Sequence, residues 1–96
     1  MITYEVKITV ETAVVSSWLH WMKTVHVPDV IATGLVRSFQ IMQSRDRSNE
    51  FTFHYHFDHQ DDLDVYNKDY APALKAHPQE KFPDKFKAER AIYDWI

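Results

Sequence analysis

The sequence predicts one α+β domain in which a single antiparallel sheet carries two helices. Four segments alternate as strands do and two repeat as helices do, in the order β-α-β-β-α-β. The length of 96 residues suits one domain, residues 1–96, without an internal linker. Aromatic residues make up 15% of the chain, which lets a small domain bury a large area. This element order is that of the ferredoxin-like fold, a four-stranded antiparallel sheet with both helices on one face.

The first predicted strand covers residues 2–11, where apolar and polar side chains alternate strictly. Successive side chains of a strand point to opposite faces, so this alternation predicts one buried face and one polar face. The polar face carries Glu5 and Lys7 and suits either solvent or the wall of a wet cavity. The apolar members are Ile2, Tyr4, Val6, Ile8 and Val10.

From Val14 onward the apolar period becomes helical. Thr12 is the predicted N-cap, because its hydroxyl can accept a hydrogen bond from a free backbone N–H. Pro28 is expected to kink the helix, since its ring removes a backbone donor. Gly34, the only glycine, lies where a residue in the left-handed conformation is expected to end the helix. The predicted stripe at helical spacing is Val15, Trp18, Leu19, Met22, Val25 and His26.

A hairpin is predicted next, with strands at residues 35–44 and 51–59 and a polar turn at residues 45–49. The second of these strands alternates aromatic and polar side chains without a break. As the third strand of the chain, it is expected to lie inside the sheet, with its aromatic edge toward the helices. The aromatic edge is Phe51, Phe53, Tyr55 and Phe57, and the polar edge is Thr52, His54, His56 and Asp58.

The second predicted helix begins at residues 59–62, where acidic side chains occupy the first turn as the helix dipole favours. Pro72 is expected to interrupt this helix, because it cannot donate a backbone hydrogen bond. Pro78 and Pro83 are expected to bracket a loop at residues 79–85. The residues predicted to share one face of the helix are Leu63, Tyr66, Tyr70, Leu74 and His77.

The last predicted strand covers residues 86–96. Arg90 lies among its apolar neighbours, where a buried guanidinium needs a carboxylate, a carbonyl or a ligand anion. Trp95 is a large aromatic side chain that is expected to pack against a second subunit.

Composition excludes several classes of protein. The net charge is −3 and no basic cluster occurs, so no nucleic-acid partner is expected. No cysteine is present, which excludes disulfides, thiolate metal sites and a cysteine nucleophile. One glycine cannot build a phosphate-binding loop or a dinucleotide fingerprint, and no cofactor is predicted. The sequence shows no signal-peptide pattern and no apolar run of membrane-spanning length, so a cytoplasmic protein without a membrane partner is expected.

Motifs along nearly the whole chain together resemble a known family. They are Tyr4, Trp18, Trp21-Met22, His26-Val27-Pro28-Asp29-Val30, Ala32-Thr33-Gly34, Tyr66, Tyr70-Ala71-Pro72, Leu74, His77-Pro78, Phe86 and Arg90. In these residues the chain is similar to the family DUF 4286. The resemblance implies a homodimeric α+β barrel, in which two ferredoxin-like sheets pack face to face around a central space. It implies no catalytic residue, because the family has no assigned activity, and its wider superfamily contains monooxygenases, isomerases, haem-degrading enzymes and ligand-sensing domains.

The polar edge of the third strand is a weak candidate metal site. His54, His56 and Asp58 project from one face at alternate positions, and two imidazoles so spaced can chelate one cation. A neighbouring strand could add Glu5, but no third ligand stands at a compelling spacing. A half-exposed strand face meeting water or a second sheet is the simpler interpretation, so no metal is predicted.

A second set of candidates comprises His26, Tyr66, Tyr70 and Arg90. These residues could be the few polar groups of a mostly aromatic ligand pocket. The alternative is that both tyrosines are core residues whose hydroxyls reach the surface, as tyrosines at helical spacing usually are.

Three functional hypotheses follow. The chain is predicted to be a homodimer that binds a small organic ligand, aromatic or anionic, in a cavity between sheet and helices. The candidate ligand-binding residues are His54, His56, His26, Tyr66, Tyr70 and Arg90. One alternative is a cofactor-independent enzyme, monooxygenase- or isomerase-like, with His54 or His56 as the acid–base group. Another is a non-catalytic interaction module whose sheet face only forms the dimer, and the sequence does not decide between enzyme and binding protein.

Overall fold

The computed structural model describes the whole chain, residues 1–96, and is built on one antiparallel sheet. Its strands are β1 (Ile2–Val10), β2 (Ser38–Gln43), β3 (Glu50–Phe57) and β4 (Phe86–Asp94). Their order across the sheet is β2-β3-β1-β4, and every neighbouring pair is antiparallel. The predicted four-stranded sheet and the internal position of β3 are therefore confirmed.

The connection between β1 and β2 is a compound helix. It consists of a 3-10 turn (Thr12–Val14), α1 (Val15–Trp21), a π-helical turn π1 (Met22–His26) and α2 (Val27–Ala32). The predicted N-cap at Thr12 is wrong, because this residue begins the 3-10 turn and makes no side-chain capping bond. Gly34 lies beyond the last turn with φ 75°, as predicted for a residue that ends a helix in the left-handed region.

A second compound helix connects β3 to β4 and repeats this construction. It consists of α3 (Gln60–Val65), a π-helical turn π2 (Tyr66–Tyr70) and α4 (Ala71–Lys81). Pro78 lies inside α4, so the predicted loop at residues 79–85 is wrong and the irregular connection begins only after Lys81. Pro78 is a buried residue of this helix, and its carbonyl accepts a hydrogen bond from the N–H of Phe82 at 2.9 Å.

Each π turn ends just before a proline. The N–H of Val27, which precedes Pro28, bonds to the carbonyl of Met22. In the second helix the N–H of Ala71, which precedes Pro72, bonds to the carbonyl of Tyr66. A proline has no N–H with which to continue the α-helical pattern, and a widened turn accommodates its ring. The predicted interruption at Pro72 therefore takes the form of a π turn, and the helix continues beyond it.

The π turns change which residues face the sheet. In a π turn the backbone hydrogen bond spans five residues instead of four. The next residue after Met22 on the same helix face is therefore Val27, which is buried, and Val25 is exposed. By the same shift Ala71 is buried below Tyr66, whereas Tyr70 is 40% exposed. The predictions that Val25 and Tyr70 belong to the buried stripes are wrong for this reason.

Strand ends differ slightly from the prediction. Residues 35–37 precede β2 without joining it, although the Arg37 N–H donates to the His56 carbonyl at 2.8 Å. The third strand ends at Phe57 and the fourth at Asp94, two residues before the predicted ends in both cases. Terminal pairs of a strand lack a neighbour on one side, so alternating composition alone does not fix them.

The core lies between the sheet and the two compound helices. As predicted, the aromatic edge of β3 faces the helices and is almost fully buried. Trp18 packs on this edge, with ring centroids 5.1 Å from Phe51 and 6.0 Å from Phe53. The opposite face of the sheet, here called the open face, is not covered by any helix of the chain. No helix combines the length and the apolar character that a membrane crossing requires.

Candidate functional site

An interior cavity lies between the sheet and the two compound helices. Its volume is about 50 Å³, and the non-atom space reaches about 570 Å³ only when the open solvent at its mouth is included. Eleven of its 15 lining residues are hydrophobic. A mostly apolar pocket with a few polar groups is typical of small-molecule sites. Its polar and aromatic lining includes Tyr4, Trp18, His26, Tyr55, Tyr66, Lys75 and Arg90.

Three of the residues that line the cavity each have a buried polar atom without a hydrogen-bond partner within the chain: Trp18 Nε1, His26 Nδ1 and the Tyr55 hydroxyl. Trp18 is 0% exposed and Tyr55 is 5% exposed. A buried donor or acceptor without a partner costs about 1–3 kcal/mol, so native proteins keep few of them. Their concentration on one cavity indicates a place where a ligand or water supplies the missing partner.

His26 contributes a neutral imidazole to this cavity. Burial lowers its pKa to about 4, although the carboxylate of Asp29 acts in the opposite direction. The ring stacks on Trp21, with centroids 6.0 Å apart and planes inclined by 26°. Near neutral pH the ring is therefore uncharged, and its Nδ1 can accept or donate one hydrogen bond, depending on the tautomer.

Three tyrosines form the polar part of the cavity wall. Tyr4 and Tyr55 lie opposite each other on β1 and β3, and Tyr66 covers them from π2. The Tyr4 and Tyr66 rings meet edge to face at 6.3 Å. Burial raises the pKa of all three hydroxyls, and Arg90 opposes the rise for Tyr4 and Tyr66. These phenols are therefore neutral hydrogen-bonding groups, with no tendency to become anionic near neutral pH.

The mouth of the cavity is positively charged. Lys75 and Arg90 are its only charged lining residues, and both also border a shallower outer groove that Asn67 and Ile92 extend. Neither cation lies within 4.0 Å of a carboxylate in any of the chain's ion pairs. An unpaired cation beside apolar surface can bind an anionic group of a ligand.

The open face of the sheet holds a second polar cluster, centred on His54. The Nε2 atom of His54 lies 3.0 Å from Glu5 Oε1, and the Tyr93 hydroxyl donates to Glu5 Oε2 at 3.2 Å. The hydrogen bond from His54 is the main reason that the Glu5 pKa is lowered, and burial of Glu5 opposes it. The carboxylate thus has a partner on each oxygen.

His56 lies at the centre of a hydrogen-bonded chain on the same face. Trp95 Nε1–H donates to Thr3 Oγ1 at 2.6 Å, and that oxygen lies 2.8 Å from His56 Nδ1. The other ring nitrogen, Nε2, bonds to the side-chain oxygen of Gln40. Burial, and to a lesser degree His54, lowers the pKa of His56. With Nε2 protonated toward Gln40 and Nδ1 accepting from Thr3, every polar atom of the neutral ring has a partner.

The candidate residues predicted from the sequence therefore separate into two groups. His26, Tyr66 and Arg90 lie around the interior cavity. His54 and His56 lie on the open face, on the other side of the sheet. Tyr70 lies on the exposed side of π2 and lines neither region. Trp18 and Tyr55 were expected only as core residues, and the signal that they do more is the lack of partners for their polar atoms.

The weak metal candidates do not converge. Both ring nitrogens of His56 are hydrogen-bonded, and Asp58 pairs with Arg37 through both carboxylate oxygens at 3.2 Å. Nowhere in the structure do three or more histidine, aspartate or glutamate side chains stand in positions to hold one metal ion.

Comparison with known families identifies one match. A family model with the description "Domain of unknown function (DUF4286)" matches residues 1–95. This match confirms the family resemblance that the motifs predicted. No curated protein matches the chain.

Several solved structures share the fold. A Nitrosomonas europaea protein, provisionally described as an antibiotic biosynthesis monooxygenase, is 16% identical, with a TM-score of 0.76 over 100% of this chain and 99% of its own. HapK from Hahella chejuensis is 14% identical, with a TM-score of 0.75 over 100% and 93% of the two chains. SnoaB, a cofactor-independent oxygenase from Streptomyces nogalater, is 11% identical, with a TM-score of 0.71 over 99% and 92%. At these identities the likeness establishes the fold alone.

Proposed function

This chain belongs to the DUF4286 family, and we propose that its interior cavity binds a small organic ligand. The observation that carries the proposal is the set of three unpartnered polar atoms on Trp18, His26 and Tyr55, because these three residues all line one mostly apolar cavity. Folding alone gains nothing from leaving these atoms buried without hydrogen bonds. A ligand that hydrogen-bonds to them recovers that cost on binding and fills the apolar space at the same time.

The ligand is expected to have an apolar body and at least one hydrogen-bonding oxygen. Trp18 Nε1–H can only donate, so it requires an acceptor on the ligand. The aromatic rings that surround the cavity favour a flat, unsaturated body, because offset and edge-to-face contacts stabilise aromatic pairs.

A second candidate function is catalysis without a cofactor, and the neutral imidazole of His26 favours it. Its unpartnered Nδ1 can take a proton from an acidic ligand O–H and return it to a different ligand atom, as an isomerase does, and its pKa of about 4 restricts it to such acidic protons. The sequence assigned this role to His54 or His56, but both nitrogens of His56 and the Nε2 of His54 are already hydrogen-bonded on the open face. SnoaB, which has the same fold, is described as a cofactor-independent oxygenase. This supports the idea that a protein with this fold can catalyse a reaction without a cofactor.

The open face is proposed to bind a second copy of the chain. It exposes large side chains, among them Tyr93 and Met42, and Trp95 on this face is 57% exposed. The family resemblance implies that such sheets pair face to face. A dimer with an empty interior cavity would correspond to the non-catalytic interaction module. The cytoplasmic location stays a prediction.

A screen of small aromatic fragments tests the proposed function. The wild-type protein and the Tyr55→Phe variant are screened by thermal shift and by protein-observed NMR, with Tyr70→Phe as the matched control. We expect fragments that bear an oxygen to bind the wild type and Tyr70→Phe, and to bind Tyr55→Phe about 5- to 10-fold more weakly, as the loss of one hydrogen bond predicts. Fragments that bind all three proteins equally, or that bind only at the open face, would contradict the proposal.

A further inference from the structure

We infer that the ligand of the interior cavity is a carboxylic acid, bound as its anion with the carboxylate at the mouth on Arg90 and Lys75 and an oxygen-bearing neutral end inside. This inference rests on the proposed function and names the chemical class of ligand for that site. The ligand is thereby assigned both a charge and an orientation in the cavity.

The charged side chains around the mouth of the cavity are all positive. The chain has 14 acidic and 11 basic residues, so acidic groups dominate its surface as a whole. Yet no aspartate or glutamate lines the cavity or the outer groove next to it, and the two charged residues there are Lys75 and Arg90. Neither forms an ion pair within the chain. A carboxylate is the group that two unpaired cations at an apolar opening bind best, and Arg90 can bind it through two parallel hydrogen bonds.

The interior of the cavity excludes the carboxylate and so fixes the orientation. Its wall is apolar apart from neutral phenols, an indole and His26, whose pKa of about 4 leaves it uncharged. A carboxylate moved into this interior would lose its water without gaining a cation, which is strongly unfavourable. At the mouth the carboxylate keeps contact with solvent and meets Arg90, whose side chain is exposed.

The inner end of the ligand is defined by the unpartnered donors. Trp18 Nε1–H requires an acceptor, and the Tyr55 hydroxyl can donate to the same kind of atom. Arg90 is on β4 and Tyr55 on β3, with β1 between them and an offset of two residues along the strands, so their backbones lie about 12 Å apart. A ligand with a carboxylate at one end, a hydroxyl or keto oxygen at the other and one or two rings between them spans this distance. Hydroxyaromatic carboxylates are the simplest members of this class.

Isothermal titration with paired probes tests the inference. The acids are 4-hydroxybenzoate and 6-hydroxy-2-naphthoate, and each is compared with its uncharged primary amide. We expect at least one acid to bind the wild type about 10-fold or more tightly than its amide, because a charge-assisted pair is lost in the amide. In Arg90→Gln the preference for the acid should shrink several-fold, to what Lys75 alone supplies, and the affinity of the amide should be unaffected.

The matched control is Lys87→Gln. Lys87 is a cation on the same strand as Arg90, but it lies on the open face and is three positions away. This variant should bind acid and amide as the wild type does, and Arg90 is exposed, so its replacement should leave the fold intact. Equal loss of acid binding in both variants would overturn the inference, because it would reflect net charge alone.

The outcomes separate the inference from the function on which it rests. Equal affinity of acid and amide for the wild type would overturn the carboxylate assignment and leave the ligand-binding proposal standing. If no acid binds, but neutral aromatic fragments bind the wild type more tightly than Tyr55→Phe, the carboxylate assignment is likewise overturned and the ligand-binding proposal stands. Failure of acids, amides and neutral fragments alike would overturn both.

Discussion

Polar aromatic side chains lie on both faces of the sheet, but their hydrogen bonding differs between the two faces. On the open face, His54 bonds to Glu5, and His56 is bonded through both ring nitrogens to Thr3 and Gln40. On the helix-facing side, three buried polar atoms have no partner at all. A polar group with all its partners supplied by the chain serves the fold, whereas a buried group without partners destabilises the unliganded protein and points to a ligand.

This difference changes which histidine matters for function. His54 and His56 stand out in the sequence because they alternate with aromatic residues on one strand. In the structure their hydrogen bonds hold β1, β2 and β3 together on the open face. His26 is less conspicuous in the sequence, yet it is the histidine with a free nitrogen on a cavity wall.

Acidification should destabilise the protein through His26. Its pKa is about 4 in the folded protein, against an ordinary value of 6.5. Between these values the unfolded chain binds a proton that the folded chain does not, so the free energy of unfolding should fall as the pH drops from about 6.5 to 4. His26 alone should contribute a loss of up to about 3 kcal/mol. Asp29 opposes the lowering of its pKa, and His77 and Arg90 add to it.

The measurement is urea unfolding of the wild type and His26→Phe at several pH values. The phenylalanine ring retains the packing on Trp21 but cannot titrate. We expect the loss of stability over this pH window to be much smaller in the variant. Burial lowers the pKa of His56 in the same direction, so a residual loss should persist. An unchanged pH dependence in His26→Phe would show that its ring is already protonated or exposed in the folded protein.

Removing His56 should cost more than removing an exposed histidine. The His56 residue is only 6% exposed, and its loss leaves the Thr3 O–H without an acceptor and the Gln40 side-chain oxygen without a donor. We expect His56→Ala to lower the free energy of unfolding by about 2–3 kcal/mol at pH 7, from lost packing and unpaired polar groups. His20→Ala, on the exposed side of α1, serves as the control and should change stability by about 0.5 kcal/mol or less. Equal effects of the two substitutions would mean that the network on the open face does not stabilise the fold.

Removing the Tyr55 hydroxyl should stabilise the unliganded protein. Phenylalanine keeps the buried ring and eliminates an oxygen that has no partner. We expect Tyr55→Phe to raise the free energy of unfolding by about 1 kcal/mol, measured in urea without ligand. Tyr70→Phe removes an exposed hydroxyl and should leave stability within about 0.5 kcal/mol of the wild type. A clear loss of stability in Tyr55→Phe would show that its hydroxyl has a structural partner after all.

Replacing Trp95 should have the smallest effect. Its indole N–H donates to Thr3, but more than half of the side chain is exposed. We expect Trp95→Phe to lower the free energy of unfolding of the monomer by about 0.5–1 kcal/mol, the value of one ordinary hydrogen bond. If the open face forms a dimer, sedimentation should show a weaker dimer for this variant as well. An unchanged sedimentation profile would contradict the role of Trp95 as an interface residue.

The regular parts of this fold were predictable from local pattern. Strict alternation identified β1 and β3, and the aromatic edge of β3 was correctly expected to face the helices. The buried stripes of the helices were predicted less well, because constant helical spacing fails at a π turn. The sequence signal for each π turn is a proline, Pro28 or Pro72, placed within a helix that has enough buried side chains beyond it to continue.

The candidate site was only partly predictable, because its defining property is an absence of contacts. His26, Tyr66 and Arg90 were expected near a pocket, but nothing in the sequence separated them from Tyr70 or from the histidines of β3. The partners of His56 lie 53 and 16 residues away in the chain, and pairing over such distances follows from strand register alone. That Trp18 and Tyr55 lack partners is visible only when every neighbouring side chain is in place.

The indole N–H signals of two tryptophans offer the most direct test of the contrast between the two faces. Trp18 lines the interior cavity and its Nε1–H has no partner, whereas Trp95 Nε1–H is already bonded to Thr3 on the open face. In a ¹H–¹⁵N spectrum recorded during titration with a hydroxyaromatic carboxylate, the Trp18 indole signal should move downfield as a new hydrogen bond forms. The Trp95 signal should stay in place. Movement of the Trp95 signal with a stationary Trp18 signal would place the ligand on the open face and contradict this account.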